Sequence, residues 1–259
     1  MTNAILAIDL QRDFCCSNGS LAVPGAEEDT KRIVAFLKRG HFDNMYFTLD
    51  THRPNSIFFC EFWKDKDGNH PAPFTTITAQ DIRDGKWTTA INPQWSMRYP
   101  EELEKKGKYD LTLWPHHCMA FTEGFTIVPE IMEQIIEWER NNFKFANFYM
   151  KGSHIMTENY SVFQAELPYP NAPETQLQQY ILNALNNNDI VYFFGQALSH
   201  CVKFTLDDLC TYAPDLVKKI VILEDCTSPI GAFDINTDPV YQDAVRLGAK
   251  IMKSTEVKF

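Results

Sequence analysis

The chain has 259 residues, of which 44% are hydrophobic and 22% charged, and a formal net charge of −10. These are the fractions of an ordinary globular protein long enough to bury a large core, and they exclude a disordered or collagen-like chain. The negative charge is spread along the sequence and argues against nucleic-acid or anionic-membrane partners, and no apolar run reaches the length of a membrane span.

Residues 4–10 are apolar except for Asp9 and predict a strand. The start of the chain lacks the basic region and long apolar stretch of a signal peptide. Its seven cysteines, Cys15, Cys16, Cys60, Cys118, Cys201, Cys210 and Cys226, are odd in number and form no CxxC pair. That pattern suits a reducing cytosol better than a disulfide framework, so a cytoplasmic protein is expected. Residues 27–39 predict a helix with Ile33, Val34, Phe36 and Leu37 on one face and Gly40 as its stop. Residues 45–49 predict a second strand, ending in Asp50-Thr51-His52.

Residues 53–113 have weak periodicity, many turn signals, and Trp63, Trp87 and Trp95. They predict an insertion after strand two folded onto the body, since compact domains rarely hold structureless loops of that length. Pro129 opens a helix to about residue 140, with Ile131, Met132, Ile135 and Trp138 inward. Residues 145–150 predict a third strand, ending at Lys151-Gly152, and residues 173–186 a helix. The run Ile190-Val191-Tyr192-Phe193-Phe194, stopped by Gly195, predicts a buried strand. Val202, Leu206 and Leu209 then fall at helical spacing. Residues 220–223 predict a strand ending at Glu224-Asp225, residues 238–247 a helix closed by Gly248, and residues 249–252 a last strand. Strands alternating with helices imply an α/β fold with a mostly parallel sheet.

In such sheets ligands bind beyond the carboxyl ends of the strands. There the chain places Asp9, the pair Asp50 and His52, Lys151 and Cys201. Cys201 follows a tight turn at a helix N-terminus, where free N–H groups and the helix dipole favour a thiolate. A buried structural cysteine is the plainer alternative, and the other strand ends weigh against it. Residues i and i+2 of an extended segment point the same way, so one ion can meet both Asp50 and His52. Oxygen and nitrogen ligands without thiolate suit zinc, iron(II) or manganese, zinc foremost.

These residues resemble the isochorismatase-like cysteine hydrolases, and among them the nicotinamidases. The matching pieces are Ile8-Asp9-Leu10-Gln11-Arg12-Asp13-Phe14, Asp50-Thr51-His52, Trp114-Pro115-His116-His117-Cys118, Lys151-Gly152, residues 195–202 and Asp225-Cys226-Thr227. The resemblance spans the chain apart from the insertion. It implies a single domain over residues 1–259 with a six-stranded parallel sheet flanked by helices in three layers. It implies an Asp9–Lys151–Cys201 triad, with Asp9 moving the proton of Cys201 and Lys151 stabilising the thiolate. It also implies a cis peptide at Gln196-Ala197 and an oxyanion site made by the N–H groups of Ala197 and Cys201.

The family's Trp-Pro-x-His-Cys spacing selects His117 over His116 to join Asp50 and His52 around one divalent metal. Ser56 stands in the region where many nicotinamidases carry a further ligand. Phe14 and Tyr160 are candidates to frame an aromatic amide, with a contribution from Trp87 or Trp95 also open. Ser199 stands where nicotinamidases often carry Asp. The expected activity is hydrolysis of nicotinamide to nicotinate and ammonia through a thioester on Cys201. Another small amide or ureido substrate, or a non-catalytic binding protein on the same fold, are the alternatives. The expected partner is a small-molecule amide, with a homo-oligomer allowed.

Overall fold

A computed structural model describes residues 1–106 and 108–259. Strand β1 (Asn3–Ile8) is apolar without alternation because helices cover both of its faces. A single turn, α1 (Arg12–Cys15), and helix α2 (Ala26–Arg39) lead to β2 (Asn44–Asp50). The segment after β2 holds two short antiparallel strands, β3 (Thr76–Ile77) and β4 (Leu111–Thr112), with helices α3 (Ala79–Arg83) and α4 (Pro93–Lys105) between them. Helix α5 (Pro129–Asn142) leads to β5 (Asn147–Lys151), and α6 (Gln179–Asn186) to β6 (Ile190–Gly195). Helices α7 (Cys201–Tyr212) and α8 (Pro214–Val217) lead to β7 (Ile220–Leu223), and α9 (Pro239–Leu247) to β8 (Lys250–Met252).

Six strands form one sheet in the order β5-β2-β1-β6-β7-β8, and every neighbouring pair is parallel. Side chains alternate between its faces. Ile5, Ala7, Phe47 and Phe194 pack with Ile33 and Phe36 of α2 and Ile131 and Ile135 of α5. Leu6, Ile8, Tyr46 and Phe193 face Leu182 of α6, Leu206 of α7 and Tyr241 of α9. The result is the three-layer α/β architecture expected from the alternation of elements.

Residues 53–113 fold onto the second of these layers. Trp63, Tyr99 and Leu111 are buried in the same cluster as Leu6 and Phe193. The Trp63 indole donates to the Ile57 carbonyl at 2.7 Å, and that of Trp95 to the Met156 carbonyl at 2.6 Å. Three local expectations change. The helix expected from residue 173 starts at Gln179, after a turn over Pro173–Thr175. The Gln176 and Gln178 side chains bind nearby carbonyls there and compete with helical backbone bonds. Gly40 closes α2 in an extended conformation, not a left-handed one, and is needed for space: a Cβ there would lie 2.1 Å from the Phe42 ring. Met132 is half-buried, while Ile131, Ile135 and Trp138 are buried.

The strand order positions the site. From β1 the chain moves outward to β2 and β5, then returns to pair β6 with the other side of β1. That reversal leaves a crevice beyond the carboxyl ends of β1 and β6, where Ile8 is level with Gly195. Asp9 follows one strand and Cys201 the turn after the other.

Candidate active site

The register of β2 and β5 sets Asp50 beside Lys151, although 101 residues separate them. The Lys151 ammonium is buried and lies 2.9 Å from Asp9 Oδ2, 2.9 Å from Asp50 Oδ1 and 3.5 Å from Cys201 Sγ. It also donates to the Asn159 carbonyl at 2.9 Å. Burial works against its charge, but Asp50 and Asp9 outweigh burial and hold its pKa well above the usual lysine range. Asp9 adopts a left-handed backbone at φ 47°. Its Oδ1 accepts from Thr48 Oγ1 at 2.5 Å, while Oδ2 touches the ammonium without a well-aligned hydrogen bond. Burial raises the Asp9 pKa against the pull of Lys151. Burial likewise raises the Cys201 thiol well above its usual value, and Lys151 only partly offsets this. The resting pair is thus a thiol beside a carboxylate of raised basicity, with a fixed cation touching both.

Cys201 begins α7, and the peptide bond between Gln196 and Ala197 is cis. Gly195 precedes it at φ 127°, where a Cβ would lie 2.1 Å from the Ile8 carbonyl oxygen, so only glycine fits between β6 and the turn. The Gln196 side chain donates to Asp29 and accepts from Ser228 N–H, which fixes the turn from behind. Among the described residues, the N–H groups of Ala197 and Cys201 donate to no protein acceptor.

Asp50 joins this cluster to a second one. Its Oδ2 lies 2.9 Å from His52 Nε2 and 3.7 Å from His117 Nε2. His52 Nδ1 faces the Gly152 carbonyl at 3.1 Å and His117 Nδ1 the Pro115 carbonyl at 2.8 Å. A carbonyl only accepts, so each Nδ1 carries the proton and, in the neutral ring, each Nε2 presents a lone pair. Two such lone pairs and a carboxylate oxygen then converge on one point, with the three ligand atoms within 4.8 Å of one another. Like-polarity groups so placed repel unless a cation lies among them, so the donor set fits a divalent metal with bonds of about 2.0–2.2 Å. A second carboxylate and thiol group, Asp9, Asp50 and Cys201, is as compact, but the Lys151 ammonium already sits among its atoms.

His116 is half-exposed and pairs with Glu61 at 3.1 Å, so it takes no part. Ser56 is buried and donates to the Arg53 carbonyl, and it does not line the cavity. Asp225 binds Ser254 through both carboxylate oxygens and serves packing.

Cys201, Asp50, His117 and Ala197 open onto a narrow cavity of about 20 Å³. Phe14 and Tyr160 line it, while Trp87 and Trp95 do not. Trp114, Leu21 and Ile230 complete its apolar wall. Two polar lining residues escaped the reading of the sequence, Glu158 and His200. Glu158 is buried, and burial, then Asp50 and Glu166, raise its carboxyl well above the usual range. It lines the same cavity as Asp50. His200 bonds Ser199 Oγ at 2.9 Å and packs edge-on against Tyr109, Trp114 and Tyr160. Burial, helped by Lys203, lowers its pKa to about 4, so it is neutral. The position of His200 beside Cys201 was its one signal; Glu158 had none, because residues 152–178 form no regular strand or long helix.

No family model matches the chain. The nicotinamidase of Saccharomyces cerevisiae is 29% identical over 228 residues, 87% of this chain and 88% of that protein. The nicotinamidase of Escherichia coli is 25% identical over 236 residues, 91% of this chain and 85% of that protein. A crystal structure of the yeast nicotinamidase bound to the inhibitor nicotinaldehyde superposes with a TM-score of 0.66 at 23% identity, covering 97% of this chain and 100% of the other. A structure of the Pyrococcus horikoshii pyrazinamidase in complex with zinc superposes with a TM-score of 0.54 at 19% identity, covering 98% and 99%. The chain has the isochorismatase-like α/β fold, the class to which this sheet order corresponds. Within that class it is nicotinamidase-like.

Proposed function

We propose that the chain is a metal-containing cysteine amidohydrolase that converts nicotinamide and water to nicotinate and ammonia. The observation that carries the chemistry is the buried Lys151 ammonium in contact with Asp9, Asp50 and Cys201. The nicotinamidase relatives and the narrow, aromatic-walled cavity support the substrate.

Asp9 takes the Cys201 proton as the sulfur attacks the amide carbon, and Lys151 offsets the charge left on that pair. The carbonyl oxygen becomes an oxyanion held by the free N–H groups of Ala197 and Cys201. Collapse breaks the C–N bond, Asp9 returns the proton to the leaving nitrogen, and ammonia departs from a thioester. Asp9 then deprotonates a water that attacks the thioester, releasing the acid and restoring the thiol. Phe14 and Tyr160 hold the ring flat. Asp50, His52 and His117 would hold the metal, zinc foremost. When bound, the ion supplies a Lewis-acid anchor for the pyridine nitrogen. A reducing, cytoplasmic setting suits a nucleophilic thiol and cysteines that are all unpaired among the described residues.

The test is kcat/KM for nicotinamide, pyrazinamide, benzamide and a short aliphatic amide in one buffer, with elemental analysis of protein never exposed to chelator. About one divalent ion per chain is expected. Benzamide, which lacks the ring nitrogen, should be on the order of a hundredfold poorer or worse. Benzamide equal to nicotinamide would rule out metal-held ring recognition. Activity on aliphatic or ureido amides alone would leave the cysteine chemistry and refute the nicotinamide assignment.

A further inference from the structure

The strand that carries Lys151 lies at an edge of the sheet. β5 pairs with β2 on one side, and among the described residues no other strand pairs with it. Outside that pairing, the backbone groups of residues 147–150 bond no other described residue. Four large apolar side chains on or beside this edge reach solvent: Phe143 is 95% exposed, Phe145 87%, Met150 61% and Phe148 39%. Tyr180, 59% exposed, contacts Tyr149 of β5 at 5.8 Å between rings and extends the patch onto the other face.

Natural sheets usually blunt such an edge with lysines, proline or a bulge. Here the one charge between residues 143 and 150 is Lys144, and its ammonium is turned back to the Asp43 carbonyl at 2.8 Å. With about 200 Å² for each large side chain, the four residues expose on the order of 500 Å² of apolar surface. A monomer rarely leaves more than a few hundred Å² in one patch, and a stable dimer needs roughly 800 Å² from each partner. Backbone pairing and Tyr180 would make up the difference.

We propose that β5 is the dimerisation edge of this protein and that its occupant is β5 of a second copy. A two-fold axis normal to the sheet runs the two strands antiparallel and sets Phe148 of each copy against Met150 of the other. The unpaired backbone groups then satisfy one another, and two six-stranded sheets become one. A second copy is the occupant the surface favours because the patch matches itself. It has no free charge with which to select an oppositely charged partner. The pairing would also brace the strand whose last residue is Lys151, the cation at the centre of the site.

Sedimentation velocity of the full chain at micromolar concentration tests this. The wild type should sediment at twice the mass of the chain, and more tightly as salt screens the net charge of −10. Met150→Glu and, separately, Phe145→Glu should sediment as monomers with unchanged far-UV circular dichroism. Phe121→Glu, at a surface phenylalanine 74% exposed elsewhere in the sequence, should remain dimeric. A monomeric wild type would overturn the proposal and leave the edge to another kind of partner. So would association that survives in either folded edge variant, or that is lost equally in Phe121→Glu.

Discussion

At Cys201 the geometry separates nucleophilicity from ionisation. Burial keeps the thiol protonated at rest, so reaction depends on a base poised beside it rather than on a standing thiolate. Cys201→Ala should therefore abolish turnover while leaving the thermal midpoint nearly unchanged, and mass spectrometry of substrate-quenched wild type should place an acyl adduct on Cys201. Full activity in the variant would remove Cys201 from the mechanism. A second residue-scale prediction concerns Glu166, which is buried 3.3 Å from the Lys108 ammonium. Burial outweighs Lys108 and pushes its pKa up to about 7, from 4.5. The folded state then holds a proton that the unfolded state has lost. This contribution to stability is present below about 4.5 and disappears as pH rises through about 7, a change on the order of 3 kcal/mol. His200 has the opposite sign. Its folded pKa of about 4 lies below 6.5, so its contribution is present above 6.5 and is lost as pH falls through about 4. The two windows overlap, and only a difference exposes either one. Urea unfolding of wild type and Glu166→Gln from pH 4.5 to 8 should show the stability gap between them shrinking or reversing with rising pH. A constant gap would show that Glu166 does not titrate in that range.

Among the elements, the β5 end does two jobs within two residues. Lys151 faces Asp9 and Asp50, and Gly152 turns away at φ 73° with its carbonyl on His52. A Cβ on Gly152 would lie 2.8 Å from His52 Cε1 and 3.0 Å from Asp50 Oδ1. Gly152→Ala should therefore displace two members of the Asp50–His52–His117 set and weaken metal binding by roughly 10–100-fold. Gly85→Ala is the control, since Gly85 has φ 70° with nothing within 4 Å of its built Cβ. It carries similar backbone strain without the contact. Metal titration of the two variants checks this, and equal affinities would assign the effect to strain alone.

For the molecule as a whole, the question is whether residues 53–113 fold with the sheet. Trp63 and Tyr99 are buried in one cluster with Leu6 and Phe193, and the segment joins β2 to elements on the same body. Cooperative unfolding of the whole chain is therefore expected. Three of the five tryptophans lie in the segment, so fluorescence weights it while far-UV circular dichroism weights the helices. Their denaturation midpoints should coincide. An earlier fluorescence transition would make the segment a separate unit.

Much of this was legible in the residues themselves. Strands buried on both faces are continuous apolar runs, so β1, β6 and β7 announce themselves, and residues at strand ends are easily named. Gly248 marked the end of α9 because a left-handed turn at φ 112° excludes most other residues. The short elements of residues 53–113 were not legible, because a five-residue helix or a two-residue strand carries no period. The tertiary structure alone decided which tryptophan faces the cavity, namely Trp114, and that Glu158 and His200 join it. It alone showed Asp50 bridging the Lys151 cluster and the histidine pair. Sequence determines which chemical groups stand at the strand ends. Which of them touch depends on strand order and register, and those follow from how the two faces of the sheet are buried by segments a hundred residues apart.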